Sequence, residues 1–217
     1  MKLDFYHGHG SPYSWRVWLA LEYLAVPHEV KVLSFADKDT MKPEFIAINP
    51  RHQVPTIVDD GIALWESVPI LEYLDERYGM DGPARLYPGT DAERARIRRL
   101  VREAEEYLGG EGVDVVLGEY LFKGEAPPDA QKVAQAREKI AAELKYLERE
   151  LQGEHFGGKS PSAADFVVYP YLAFIKRITF RKPEAALTEL IPVGMAAWKK
   201  RIEKLPFYDK TFPPHWR

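Results

Sequence analysis

The sequence contains no cysteine. That excludes a disulfide scaffold, a zinc site built on thiolates, and any mechanism in which a protein thiol is the nucleophile. It also lacks an apolar run of the roughly 18 to 20 residues that a membrane-spanning helix needs. The opening residues, Met1 to Tyr6, read as a strand without a signal-peptide block, so a soluble cytoplasmic protein is expected. Neither sign of charge dominates, the formal net charge being −3. A basic run (Arg94, Arg96, Arg98, Arg99, Arg102) is interleaved with Asp91, Glu93, Glu103, Glu105 and Glu106. Phosphate binding needs unopposed cations, so neither nucleic acid nor an anionic membrane is an expected partner. His7 and His9 have no third ligand at matching spacing, and no metal site is read there. Gly8-His9-Gly10 follows a strand but lacks the later glycine of a dinucleotide loop, because Tyr13 stands in its place.

What is present falls into two halves of different periodicity. Residues 2–7 and 28–33 have strand character, and a helical stripe with Val17, Leu21 and Leu24 lies between them. That order predicts a βαβ unit. A short helix is expected over 41–50, then strands at 54–58 and 62–65 joined by Asp59-Asp60-Gly61, a strong hairpin signal. A helix from Ser67 to Tyr78 stops at Gly79. The fold class is therefore α/β over residues 1–80, in the order βαβ-α-ββα. A Pro/Gly-rich linker follows at 81–90, and then an all-α domain over 91–217. Its helices are expected at 91–108, 113–122, 129–152, 163–178 and 193–204, with Gly109, Gly110 and Gly112 kinking or breaking the first pair.

Four segments carry a resemblance. Residues 10–21 (GSPYSWRVWLAL) are similar to the first-helix segment of the cytosolic glutathione transferases, closest to the SxxSWRVRIAL pattern of the zeta class. Residues 49–58 (NPRHQVPTIV) are similar to that family's NPxxxVPxL turn and strand. Residues 65–74 (WESVPILEYL) resemble its ES-x-AI-x-x-YL segment, and 162–171 (SAADFVVYPY) the capping-box segment of its C-terminal domain. The resemblance implies a thioredoxin-like N-terminal domain, glutathione as co-substrate with no metal, a hydrophobic electrophile as second substrate, and a homodimer. Pro12-Tyr13 replaces the zeta pattern's Ser-Cys, which counts against a zeta-type isomerase.

The resemblance also assigns residues. Val54-Pro55 would be a cis peptide presenting the Val54 backbone to the cysteinyl part of glutathione; an ordinary trans proline at a strand start is the alternative. Ser67 reads as an N-cap, and a helix N-terminus suits a carboxylate. By resemblance Ser67 takes the γ-glutamyl carboxylate and Glu66 the γ-glutamyl amine. Gln53 is a further polar contact, and His52 either reaches the glycyl end or is a solvated loop residue. Ser11 matches the catalytic serine by its spacing to Ser14-Trp15-Arg16-Val17. Read from the residues alone, Ser11-Pro12 is an N-cap with proline at the first helical position. Tyr6, near the end of the first strand, is the rival for thiol activation. His9, Tyr13 and Tyr107 are expected to line the second-substrate pocket. Ser162 and Asp165 form a capping box with a structural role. The function read here is conjugation of the glutathione thiolate to hydrophobic electrophiles. The alternatives are a glutathione-dependent isomerase or dehalogenase, or a non-catalytic binding module of the same fold.

Overall fold

Burial alternates along β1 (Leu3–His7), with Leu3, Phe5 and His7 inside and Asp4 and Tyr6 half-buried. That is the period-two pattern of a strand covered more fully on one face. In the computed structural model, which describes residues 3–80, 82 and 84–217, β1 is a central strand. It pairs in parallel with β2 (His28–Val32) and antiparallel with β3 (Thr56–Asp59), which pairs antiparallel with β4 (Ile62–Trp65). The sheet order is β2-β1-β3-β4. A parallel pair needs a crossover, and α1 (Pro12–Tyr23) supplies it. The β3–β4 hairpin turns through Asp60 and Gly61, both at positive φ (51° and 80°), the backbone of a type I′ turn.

Two further helices complete this unit's α/β part. They are α2 (Pro43–Ile46) and α3 (Ser67–Leu74), the latter extended by a π-helical turn over Asp75–Gly79. Buried Asp75 accepts from Arg85 Nη2 at 2.7 Å and from the Leu86 N–H at 2.5 Å, which fastens the start of the connector to the end of α3.

The sequence predicts a helical domain over residues 91–217. The chain instead divides into a first unit of Met1–Leu86 with Pro206–Arg217 and a second of Tyr87–Leu205. Aromatic packing on α1 explains the return. Trp15 Nε1 donates to Thr211 Oγ1 of α9 (Tyr208–Thr211) at 3.0 Å, and its ring lies 5.7 Å from Phe212 and 5.6 Å from Trp216. Lys210 Nζ pairs with Glu22 at 2.6 Å.

In the second unit, α4 (Asp91–Glu103) starts at a capping box of Thr90 and Glu93. The helix then continues unbroken through a π-helical stretch (Ala104–Val113), α5 (Asp114–Leu117) and a π-helical end (Gly118–Phe122). The glycines do not break the helix, which turns π-helical across them, and two of them serve close approach. A Cβ on Gly109 would lie 2.4 Å from the Tyr171 hydroxyl, and one on Gly112 2.7 Å from Ile140 Cγ1. Those partners belong to α7 (Ala163–Arg181) and α6 (Ala130–Glu150). Every residue of α7 from Ala163 to Ile175 is buried, as befits a helix apolar on all sides at the centre of a bundle. The last helix of this unit is α8 (Val193–Ile202). Among the described residues no helix is long and apolar enough to cross a membrane.

Candidate active site

The chain leaves β1 at His7 and turns through Gly8–Gly10 into α1. Ser11 caps that helix: its backbone is extended (φ −76°, ψ 121°) and its hydroxyl oxygen accepts the Ser14 N–H at 3.2 Å. Capping uses one lone pair. A hydroxyl has a second lone pair and a proton, so Ser11 Oγ–H is left to donate, and capping and donation to a thiolate are compatible. Just before it, a Cβ on Gly8 would meet the Phe35 ring at 2.4 Å and Val54 Cγ2 at 3.1 Å. The bare glycine therefore lets this loop lie against Val54.

The turn that carries Val54 is pinned from within. Buried Asn49 donates from Nδ2 to the Gln53 carbonyl and to Thr56 Oγ1, both at 2.9 Å, and its Oδ1 accepts the Arg51 N–H at 2.8 Å. Thr56 Oγ1 in turn donates to the Gln53 carbonyl at 3.1 Å. The Val54–Pro55 peptide is cis. The Gln53 side chain is exposed, and His52 is half-buried with a left-handed backbone (φ 57°).

Thr56 pairs with Trp65 across the β3–β4 ladder, which sets this turn beside the start of α3. There the expected cap is corrected. Glu66 takes the non-helical backbone (φ 68°, ψ 117°) and is the N-cap residue, so Ser67 already lies within the first turn. Positive φ at a non-glycine residue is strained, and such strain gathers at functional sites. No side chain caps α3, whereas Ser11, Thr90 and Asp129 cap α1, α4 and α6. The first N–H groups of α3 are thus open to an anion. Ser67 is 5% exposed, and its hydroxyl accepts from the fully buried Arg16 guanidinium at 3.3 Å. Ser11, the Val54–Pro55 peptide and Glu66–Ser67 are thereby tied together within the first unit.

Tyr6 lies elsewhere. Alternation turns its ring toward Phe45 of α2 (5.6 Å), while Phe5 and His7 face Trp18 of α1 (6.3 and 4.8 Å). Burial first, then the Asp4 charge, pushes the Tyr6 phenol up from its ordinary pKa, making it a weaker donor. His7 Nε2 and His9 Nδ1 are 3.1 Å apart. Burial, with a smaller push from His9, brings His7 down to about 3, and burial also lowers His9, so both imidazoles are neutral at pH 7. The Tyr13 ring lies beneath the Arg16 guanidinium (4.9 Å). Tyr107 belongs to the second unit, where it is exposed on the π-helical stretch. Also in that unit, Asp165 is fully buried and accepts from the Ser162 N–H and hydroxyl (both 2.8 Å), the Phe156 N–H (3.0 Å) and Trp198 Nε1 (2.8 Å).

Comparison with known proteins identifies this arrangement. Residues 10–77 match the family model for the glutathione S-transferase N-terminal domain, and residues 130–206 that for its C-terminal domain. The chain is 30% identical over 214 residues to Glutathione S-transferase A of Pleuronectes platessa, covering 96% of this chain and 90% of that one. The chain belongs to the glutathione S-transferase family. It is also 28% identical over 213 residues to Glutathione S-transferase D7 of Drosophila melanogaster, covering 94% and 90% of the two chains. A solved glutathione S-transferase from the Antarctic clam Laternula elliptica superposes with a TM-score of 0.78 at 26% identity, over 100% of this chain and 94% of that one. As in that fold, a thioredoxin-like unit with a mixed four-stranded sheet is joined to an all-helical unit.

Two residues of the candidate site are not among those expected from the sequence, although both stand inside segments that carry the resemblance. Arg16 is the one charged residue in the apolar run Trp15–Leu21, and a cation on a buried helix face signals a partner. Asn49 precedes Pro50 in a turn where a side-chain amide can replace missing backbone bonds.

Proposed function

We propose that this transferase binds glutathione on its first unit, ionises the thiol, and directs the thiolate at a hydrophobic electrophile. The observation that carries the proposal is the Ser11 cap, whose oxygen is engaged by the Ser14 N–H while its proton remains available. Glutathione must react as its thiolate. A hydrogen bond to a charged group contributes about 1.5–3 kcal/mol, equivalent to roughly one to two pKa units, enough to bring the thiol near physiological pH. The partial positive end of α1 favours the same ionised form.

The rest of the tripeptide is assigned in keeping with this. The open N-terminus of α3 and Ser67 take the γ-glutamyl carboxylate, and exposed Glu66 takes the amine. The Val54 backbone meets the cysteinyl unit, Gln53 adds a polar contact, and His52 reaches the glycyl end. His9 and Tyr13, flanking Ser11, meet the second substrate, with aromatic and apolar area supplying the binding. The working form is a homodimer, as the family resemblance implies. The test is turnover with a general aromatic electrophile, followed as the glutathione conjugate. Conjugate formation by the wild type that collapses in Ser11→Ala supports the proposal, and undiminished turnover in Ser11→Ala contradicts it.

A further inference from the structure

Arg16 is a costly residue where it stands. It lies in the middle of α1 with its side chain wholly removed from solvent, and a buried guanidinium is retained only where its N–H groups are met. One of them is met by Ser67: Arg16 Nη1 donates to Ser67 Oγ at 3.3 Å, joining α1 to the first residue of α3. The direction of that bond has a consequence for the serine. A guanidinium has no acceptor, so Ser67 must receive with a lone pair, and its own proton then points away from Arg16. Among the described residues no side chain or carbonyl is found to accept that proton. The start of α3 also has no side-chain cap, and Pro69 in its first turn has no N–H. The groups that turn presents are therefore the Ser67 and Val68 N–H groups and a Ser67 O–H oriented from behind.

We infer that Arg16 is a positioning residue of the carboxylate subsite: it holds Ser67 as a hydrogen-bond donor toward the γ-glutamyl carboxylate and sets a buried positive charge behind it. The inference rests on the proposed assignment of that carboxylate to α3. A hydroxyl free to rotate loses rotational freedom when it turns its proton to an anion. One whose lone pair is already claimed by a cation presents the proton, and the same cation strengthens the donor.

The test compares two ligands on four proteins by calorimetry. The ligands are glutathione and an analogue with hydrogen in place of the γ-glutamyl carboxylate. The proteins are the wild type, Ser67→Ala, Arg16→Gln and Arg16→Lys, the last keeping a buried charge should the Gln variant not fold. The wild type should prefer glutathione by about tenfold or more, as expected for a charged hydrogen bond. Ser67→Ala and folded Arg16→Gln should lose most of that preference, and Arg16→Lys, which keeps the charge but not the guanidinium that reaches Ser67, a smaller part, while all three bind the analogue nearly as well as the wild type. A purely structural Arg16 would weaken both ligands alike. An undiminished preference in folded Arg16 variants, with the preference lost in Ser67→Ala, overturns the role of Arg16 alone. No preference in the wild type overturns both this inference and the carboxylate assignment beneath it.

Discussion

The Trp15 indole donates to the Thr211 hydroxyl at 3.0 Å, both groups buried, and the hydroxyl passes its own proton to the Tyr208 carbonyl at the same distance. This relay fixes residues 206–217 to the helix that begins at Ser11. Thr211→Val preserves the shape and leaves a buried indole N–H without its acceptor. We expect a loss of about 1–3 kcal/mol, or roughly 2–4 °C of melting temperature per kcal/mol for a chain of this size. An unchanged thermal melt would show that the tail is held by ring packing alone.

Two adjacent glycines in the second unit should respond in opposite directions to the same change. Gly109 is buried, and a methyl there would sit 2.4 Å from the Tyr171 hydroxyl and 2.6 Å from its ring. Gly110 is exposed, with only the Glu105 carbonyl at 3.5 Å. Gly109→Ala should destabilise by about 1–3 kcal/mol through overpacking. Gly110→Ala should be neutral or stabilise by up to about 1 kcal/mol, the helix-propensity difference. Urea unfolding of the two variants beside the wild type decides it, and equal effects would contradict the close approach.

Asp165 collects four donors from three segments, so its removal does more than delete a cap. Asp165→Ala leaves the Phe156 and Ser162 N–H groups and the Trp198 indole unmet inside the unit. A cost of about 3 kcal/mol or more is expected, since each unsatisfied buried group costs about 1–3 kcal/mol. Affinity for glutathione in the surviving folded protein should be unchanged. A selective loss of affinity without loss of stability would overturn this structural role.

His7 gives the fold an acid sensitivity. Its pKa in the folded chain is about 3, lowered chiefly by burial from an ordinary value of 6.5. Between those values the unfolded chain takes up a proton that the folded chain refuses. The stability His7 contributes is therefore fully present above about pH 6.5 and is lost as the pH falls toward 3. The slope approaches about 1.4 kcal/mol per pH unit at its steepest. His7→Gln should flatten stability measured by denaturant between pH 6 and 4, and an identical pH dependence in that variant would rule His7 out as the cause.

Much of the first unit was legible because its signals are local. Asp60-Gly61 demands positive φ at both positions and obtains it, and the helical patterns that take over after residue 90 mark where α4 begins. What escaped depends on contacts distant in sequence. Nothing near Gly109 announces that Tyr171 needs its space, and nothing in residues 206–217 names Trp15 as their partner. The cap of α3 moved from Ser67 to Glu66 because a strained backbone at Glu66 overrode the usual preference for serine. Ser11 was legible as a helix cap and, by resemblance, as a catalytic group. Only the geometry of the Ser14 hydrogen bond makes the two compatible in one hydroxyl.

The central claim is that the Ser11 proton stabilises the glutathione thiolate. Its most direct test is the pKa of the bound thiol, read from thiolate absorbance against pH in the wild type, Ser11→Ala and Tyr6→Phe. Ser11→Ala should raise the bound thiol pKa by about one to two units, while Tyr6→Phe should leave it where the wild type has it. An unchanged pKa in Ser11→Ala, or a rise confined to Tyr6→Phe, would contradict the claim.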